Sequence, residues 1–120
     1  MNNKVALQNL SSAIDSATTS LKRSFNLGTA DYFIESFQLL SKKVGHLDMA
    51  AQEFNDRQLF EKSQGLRNLL ASISTFYESQ DELKLQESIT ELEARSLDLK
   101  NYVSIQEDNF EQQFSEINNY

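Results

Sequence analysis

The residues best suited to chemistry in this sequence are carboxylates spaced four apart, which an α-helix places on one face. A carboxylate pair of this kind can share a hard cation that prefers oxygen ligands. The four pairs are Asp31/Glu35, Glu78/Glu82, Glu87/Glu91 and Glu107/Glu111. Because acidic side chains cover exposed helix faces in any acidic protein, we interpret the pairs as solvated surface and keep a cation-binding bundle as the weaker alternative.

Side chains suited to catalysis are scarce. His46 is the single histidine, and the sequence contains no cysteine. A di-iron bundle needs a Glu-x-x-His motif on each of two helices, and a serine nucleophile needs an oriented base. One histidine flanked by Gly45 and Leu47 supplies neither. We therefore expect a surface or boundary histidine, no metal or other cofactor, and no enzymatic activity.

Charge is distributed unevenly along the chain. Residues 1–77 carry eight basic and seven acidic side chains, whereas residues 78–120 carry three and eleven, and the net charge is −7. Nucleic-acid binding requires clustered lysine and arginine, and an anionic membrane surface would repel this chain. The longest uncharged apolar run is also far shorter than the ~20 residues of a membrane span. We expect a cytoplasmic protein with neither a nucleic-acid nor a membrane partner.

The elements that carry these residues are predicted to be helices. The sequence has no proline and three glycines, which favours long helices over a β-rich fold with many turns. Apolar residues recur at three- and four-residue spacing over residues 3–26, 30–54, 57–78 and from 80 onward. Gly28 suits the end of the first helix, and we expect the Thr29 side chain to cap the second. Ser79 and Glu82 have the spacing of a capping box for the fourth.

A weak internal repeat relates the two halves of the chain. Glu35-Ser36-Phe37 matches Glu87-Ser88-Ile89 at an offset of 52 residues, and the same offset pairs Leu47 with Leu99. Two similar hairpins in one domain, residues 1–54 and 55–103, favour an antiparallel up-down-up-down four-helix bundle over a solenoid. Gly45 lies beside the apolar seam of the second helix, where we expect a neighbouring helix to approach closely; the alternative is that the helix tolerates the glycine at a cost of about 1 kcal/mol.

Residues 104–120 form either an extension of a long fourth helix or a short fifth helix that begins near Asp108. An unbroken fourth helix of about 37 residues would be ~55 Å long and would extend past the third helix. Phe110, Phe114 and Ile117 share one face of this segment, beyond the reach of the partner helix of the hairpin. They are the predicted partner-binding residues, contacting another protein or a second copy of the chain; folding back onto the bundle is the alternative.

The two predicted turns, Asn26-Leu27-Gly28-Thr29-Ala30-Asp31 and Phe76-Tyr77-Glu78-Ser79-Gln80-Asp81, sit in hairpins that span residues 12–47 and 69–102. This layout resembles the hairpins of FliS-type flagellar export chaperones. The resemblance implies a small cytoplasmic helical bundle that holds flagellin unpolymerised and has no catalytic site. The acidic residues 104–120 are longer than that pattern, and no binding residue is transferred from the family.

Two functions remain in view besides cation binding. The first is a non-enzymatic interaction protein, an adaptor or a chaperone-like bundle, which binds a protein partner through an apolar groove and the C-terminal helix. The second is a structural protein that forms a homodimer through its long C-terminal helices.

Overall fold

The computed structural model describes the backbone of residues 3–118 and the side chains of residues 5–105. Within this part the chain folds into four α-helices, which confirms the predicted all-α four-helix bundle. They are α1 (Asn3–Leu27), α2 (Ala30–Glu53), α3 (Arg57–Glu78) and α4 (Glu82–Asn118). None of the helices, as far as they are described, combines the length and the apolarity needed to cross a bilayer.

The three turns between the helices share one backbone geometry. Each contains a residue with positive φ, which is 71° at Gly28, 55° at Asn55 and 59° at Gln80. After each of them, a backbone N–H donates to the carbonyl five residues earlier at 3.0 Å. This bond is the signature of a Schellman motif, which ends a helix and satisfies its last carbonyls. Glycine adopts the conformation without a Cβ penalty and asparagine adopts it more readily than most residues, so Gln80 is the least expected of the three from residue type.

The helix caps differ from two of the predictions. Thr29 precedes α2, but its hydroxyl donates to the carbonyl of Ser24 at 3.3 Å and does not cap the helix. Ser79 is the C-cap of α3, and the carboxylate of Asp81 accepts the backbone N–H of Lys84 at 3.2 Å instead. The predicted capping box was therefore wrong, because the residue with positive φ at position 80 delays the start of α4 to Glu82.

The hydrophobic core runs the length of the bundle and is built from the predicted apolar stripes. Phe37 and Phe54 pack against this core from partly buried positions. The most deeply buried apolar side chains come from all four helices: Ile14, Leu21, Leu40, Val44, Leu47, Leu59, Leu66, Ile73, Leu92 and Leu99. Every helix thus contributes one face to a single core, as the three- and four-residue spacing predicts.

Side-chain contacts fix which helices are neighbours. Between α1 and α4, Lys22 pairs with Glu93 at 3.1 Å and Asp15 with Lys100 at 3.3 Å, so residue numbers rise along α1 as they fall along α4. The same opposite order holds for Phe33–Tyr77 and Asp48–Arg67 between α2 and α3, and for Asp56–Tyr102 and Lys62–Asp98 between α3 and α4. These contacts fit antiparallel neighbours; the full up-down-up-down order and the division into two hairpins stay predictions.

Helix α4 is much longer than its neighbours. It contains 37 residues against 22 in α3, and the molecule measures 60 Å along its longest axis and 23 Å across. The Tyr102 hydroxyl reaches the carboxylate of Asp56, which caps the start of α3, at 2.8 Å. Residues of α4 after Tyr102 therefore lie past the end of α3. The side chains of Phe110, Phe114 and Ile117 fall outside the described residues.

The close helix approach expected at Gly45 was wrong. A Cβ placed on Gly45 would meet no atom within 4 Å, so nothing in the bundle requires glycine there. We expect Gly45→Ala to raise the free energy of unfolding by about 0.5–1 kcal/mol, since alanine loses less backbone entropy in a helix. Urea unfolding measures this change.

Gly65 provides the matched control for that substitution. A Cβ at Gly65 would lie 2.6 Å from Nη1 of Arg95, which must then move away from its partner Glu91. The gain at Gly65→Ala is expected to be smaller for this reason. A loss of stability at Gly45→Ala would show that position 45 is packed more tightly than described.

Candidate interaction site

An apolar groove lies between α1 and α2, close to the turn that joins them. It has a volume of about 480 Å³. Its lining includes Ala17, Arg23, Leu27, Tyr32, Glu35 and Leu39. Positions 32, 35 and 39 follow one another at helical spacing, so α2 presents them on a single face. We call this feature the α1–α2 groove.

Three large apolar side chains of the α1–α2 groove are exposed to solvent. The exposed fraction is 70% for Leu27, 66% for Tyr32 and 46% for Leu39. Single exposed apolar residues are common on protein surfaces, but three that line one concave groove are typical of a binding surface. A helix with an apolar stripe is the kind of ligand that such a groove between two helices accepts.

The internal repeat supplies a comparison for this surface within the same chain. At an offset of 52 residues, the exposed groove residues correspond to Ser79, Lys84 and Glu91, which are polar. Core positions behave differently, because Leu47 and Leu99 are equally buried at the same offset. The fold therefore preserves the core in both halves but does not require apolar residues at the groove positions.

Basic side chains lie in and next to the α1–α2 groove. Arg23 lines it from α1, and Lys42 and Lys43 follow Leu39 by three and four residues along α2. None of these three cations forms an ion pair with another described residue. Glu35 is the acidic member of the lining. The groove thus combines an apolar floor with one lining cation and two further cations at the next turn of α2.

A second depression opens at the end of the bundle where the α1–α2 and α3–α4 turns meet. It has a similar volume of about 480 Å³ and is lined by Phe25, Phe33 and Tyr77. The rings of Phe33 and Tyr77 stack at 4.5 Å with an interplanar angle of 9°. Stacked aromatic pairs add stability beyond the area that they bury. We interpret this depression as the packed end of the core.

Buried polar contacts join α2 to α3 around Asp48. Asp48 is 7% exposed. Its carboxylate accepts hydrogen bonds from Gln64 at 2.8 Å, Arg67 at 3.2 Å and Ser63 at 3.4 Å. No buried side-chain nitrogen or oxygen among the described residues lacks a hydrogen-bond partner. Because every partner comes from a neighbouring helix or from α2 itself, this cluster positions the helices and leaves no side chain directed at a ligand.

The repeat relates this cluster to the contact between α1 and α4, with the charges exchanged. Asp15 corresponds to Arg67, and Lys100 corresponds to Asp48, so each interface keeps one ion pair in the same place. The Asp15 carboxylate also accepts from buried Ser96 at 3.3 Å. Ser96, a polar interruption in the apolar stripe of α4, is therefore a structural contact between helices.

Among the side chains that the structure describes, the residues considered for metal binding do not assemble into a site. No group of three or more histidine, cysteine, aspartate or glutamate residues in the described part of the chain is placed to hold a metal ion. His46 is exposed on α2, as expected for a surface histidine. The side chains of Glu107 and Glu111 lie outside the described residues, whereas the pair Glu87/Glu91 is exposed on α4.

Sequence reasoning missed the α1–α2 groove. It placed the binding surface on Phe110, Phe114 and Ile117, because these apolar residues lie beyond the part of the fourth helix that the third helix can cover. It did not predict where on the bundle an apolar groove would lie. One signal was available, since Leu39 is apolar where the repeat has Glu91. Comparing the two halves position by position would have singled out Leu39 as an apolar residue that the other half of the fold does without.

Comparisons with other proteins leave the function to be argued from this chain alone. No known protein family matches the sequence, and neither a curated protein nor a solved structure has significant similarity to it. The resemblance to FliS-type export chaperones stays a prediction.

Proposed function

We propose that this protein is a non-enzymatic interaction module that binds a helical segment of a protein partner in the α1–α2 groove. The observation that carries the proposal is the exposure of Leu27, Tyr32 and Leu39 at positions where the second half of the chain has polar residues. An apolar surface that the fold does not need is best explained by a ligand that covers it.

The C-terminal part of α4 is the second binding element in this proposal. Its backbone continues in α-helix to Asn118, past the residues that pack against α3. Phe110, Phe114 and Ile117 recur there at helical spacing and form the predicted partner-binding face. A groove near one end and a helical extension at the other would let one molecule hold two segments, as an adaptor or a chaperone-like bundle does.

A cytoplasmic location is part of the proposal. The chain contains no cysteine, which suits a reducing compartment where disulfides do not stabilise proteins. A homodimer is the second candidate form, and the observation that favours it is the continuation of α4 past the end of α3.

Photo-crosslinking in cells of the source organism tests the groove directly. A photoreactive phenylalanine derivative is introduced at Tyr32 in one full-length variant and at Leu97 in another. Leu97 is the matched control, because it is 58% exposed on the outer face of α4 and lines none of the described cavities. We expect a discrete covalent adduct from position 32 that is missing from position 97, and mass spectrometry then identifies the adduct.

Two further variants connect the adduct to binding. Purified partner should bind the natural sequence and Leu97→Asp equally, whereas Leu39→Asp should weaken binding at least about tenfold, because a charge is placed on the apolar floor. Equal crosslinking from positions 32 and 97, or equal binding by both aspartate variants, would refute the proposed function.

A further inference from the structure

We infer that the segment seated in the α1–α2 groove is the C-terminal helix of a second copy of this chain, so that two copies form a closed dimer by exchanging these helices. The inference rests on the proposed function of the groove and names its occupant. Any other client would have to displace this helix.

The chemistry of the two surfaces is complementary. Residues 104–120 contain four acidic side chains, Glu107, Asp108, Glu111 and Glu116, and no basic one. Arg23 and Glu35 line the groove, and helical spacing places Lys42 and Lys43 one turn beyond Leu39 on the same side of α2. The three cations outnumber the single carboxylate and form no ion pair with another described residue. Opposite charges around an apolar contact select the partner and accelerate its encounter.

The apolar parts of the two surfaces also match in length. Phe110 and Ile117 are seven residues apart in the sequence, and so are Tyr32 and Leu39 on α2. In an α-helix, seven residues extend over roughly 10 Å. The spacing of these two apolar residues on the C-terminal helix thus equals the spacing of the two exposed groove residues on α2.

The occupant cannot come from the same chain. The groove lies beside the α1–α2 turn, whereas Tyr102 packs on Asp56 at the α2–α3 turn, at the opposite end of α2. Helix α2 contains 24 residues, which separates the two ends by roughly 36 Å. Since α4 leads its C-terminal residues past α3 and away from the groove, only another molecule can place them there.

The position of the groove and the helix at opposite ends also explains why two copies suffice. When two bundles lie antiparallel, the C-terminal helix of each one reaches the end of the other that carries the groove. Both contacts then form at once under a two-fold axis, and the assembly closes instead of growing into a filament. The second contact forms within a complex and strengthens the first.

Sedimentation equilibrium of the full-length chain tests this inference. We expect a mass of twice 13.8 kDa at moderate salt, with dissociation as salt is added, because exposed ion pairs are screened. Leu39→Asp and Phe114→Asp should each raise the dimer dissociation constant at least about tenfold, whereas Leu97→Asp should leave it unchanged.

Mixing the two weakened variants gives a sharper test. Leu39→Asp retains an intact C-terminal helix and Phe114→Asp retains an intact groove, so each mixed pair keeps one of the two contacts. The mixture should therefore associate as a one-to-one complex more strongly than either variant does alone. A different dimer interface through α4 itself predicts no such complementation.

The outcomes separate this inference from the proposed function. A natural chain that stays monomeric at every concentration, or a dimer that Leu39→Asp leaves intact, would overturn the exchange of helices. If position 32 nevertheless crosslinks to a different protein, the groove is a binding site with another occupant. If neither dimer nor adduct forms, both proposals fail.

Discussion

Asp48→Ala is expected to lower the free energy of unfolding by about 2–4 kcal/mol, because it removes a buried carboxylate that three side chains of α3 share. Gln64 and Arg67 are partly exposed and can return to water, but Ser63 is fully buried and would lose its acceptor. Urea unfolding monitored by circular dichroism measures the loss.

Asp15→Ala is the matched control, because the repeat places it in the equivalent ion pair between α1 and α4. Its side chain is 43% exposed against 9% for Asp48, so water screens the pair with Lys100. Its removal should cost only about 1 kcal/mol, mainly through the bond that Ser96 donates. Equal losses from the two substitutions would contradict the role assigned to burial.

The second large effect is expected at Asp56, which joins the α2–α3 turn to α4. Its carboxylate accepts the N–H of Leu59 at 3.1 Å and the hydroxyl of Tyr102 at 2.8 Å. Asp56→Ala removes a helix cap and a hydrogen bond to a charged group, so we expect a loss of about 2–3 kcal/mol. Asp56→Asn keeps an oxygen for the cap and should cost less.

A double-mutant cycle isolates the contact between the turn and α4. Tyr102→Phe removes only the hydroxyl, and its cost should largely disappear when Asp56 is already alanine. Additive losses from the two substitutions would show that the hydroxyl does not depend on this carboxylate. The cycle also reports whether α4 is held at the point where it passes the end of α3.

The fold was predictable because it depends on the local spacing of apolar residues, and this spacing recurs in all four helices. The absence of proline and the spacing of residues such as Leu40, Leu47 and Leu92 are enough to predict four helices and most of the core. The turns were harder, because Asn55 and Gln80 adopt positive φ without being glycine. Their conformations depend on bonds to the preceding helix, which residue type alone does not indicate.

The candidate site was less predictable for a different reason. Tyr32 and Leu39 look like ordinary members of an amphipathic helix until the packing of α1 against α2 shows that they remain exposed. Burial depends on which face the neighbouring helices cover, and single-helix periodicity does not determine that. The buried Ser63 likewise became understandable only through its contact with Asp48.

In the proposed function, the apolar residues of the α1–α2 groove serve binding and are not needed for folding. The repeat suggests the variant that tests it, with Leu27→Ser, Tyr32→Lys and Leu39→Glu introduced together to copy residues 79, 84 and 91. The photoreactive phenylalanine is then placed at Ser36, which also lines the groove.

The decisive measurement compares adduct formation from position 36 in the natural and the triply substituted full-length chains. We expect that the natural groove forms a discrete adduct, and that the substituted chain loses it while its urea unfolding midpoint stays nearly the same. The same adduct in equal yield from both chains would contradict the proposed function, because binding would then not depend on the apolar groove.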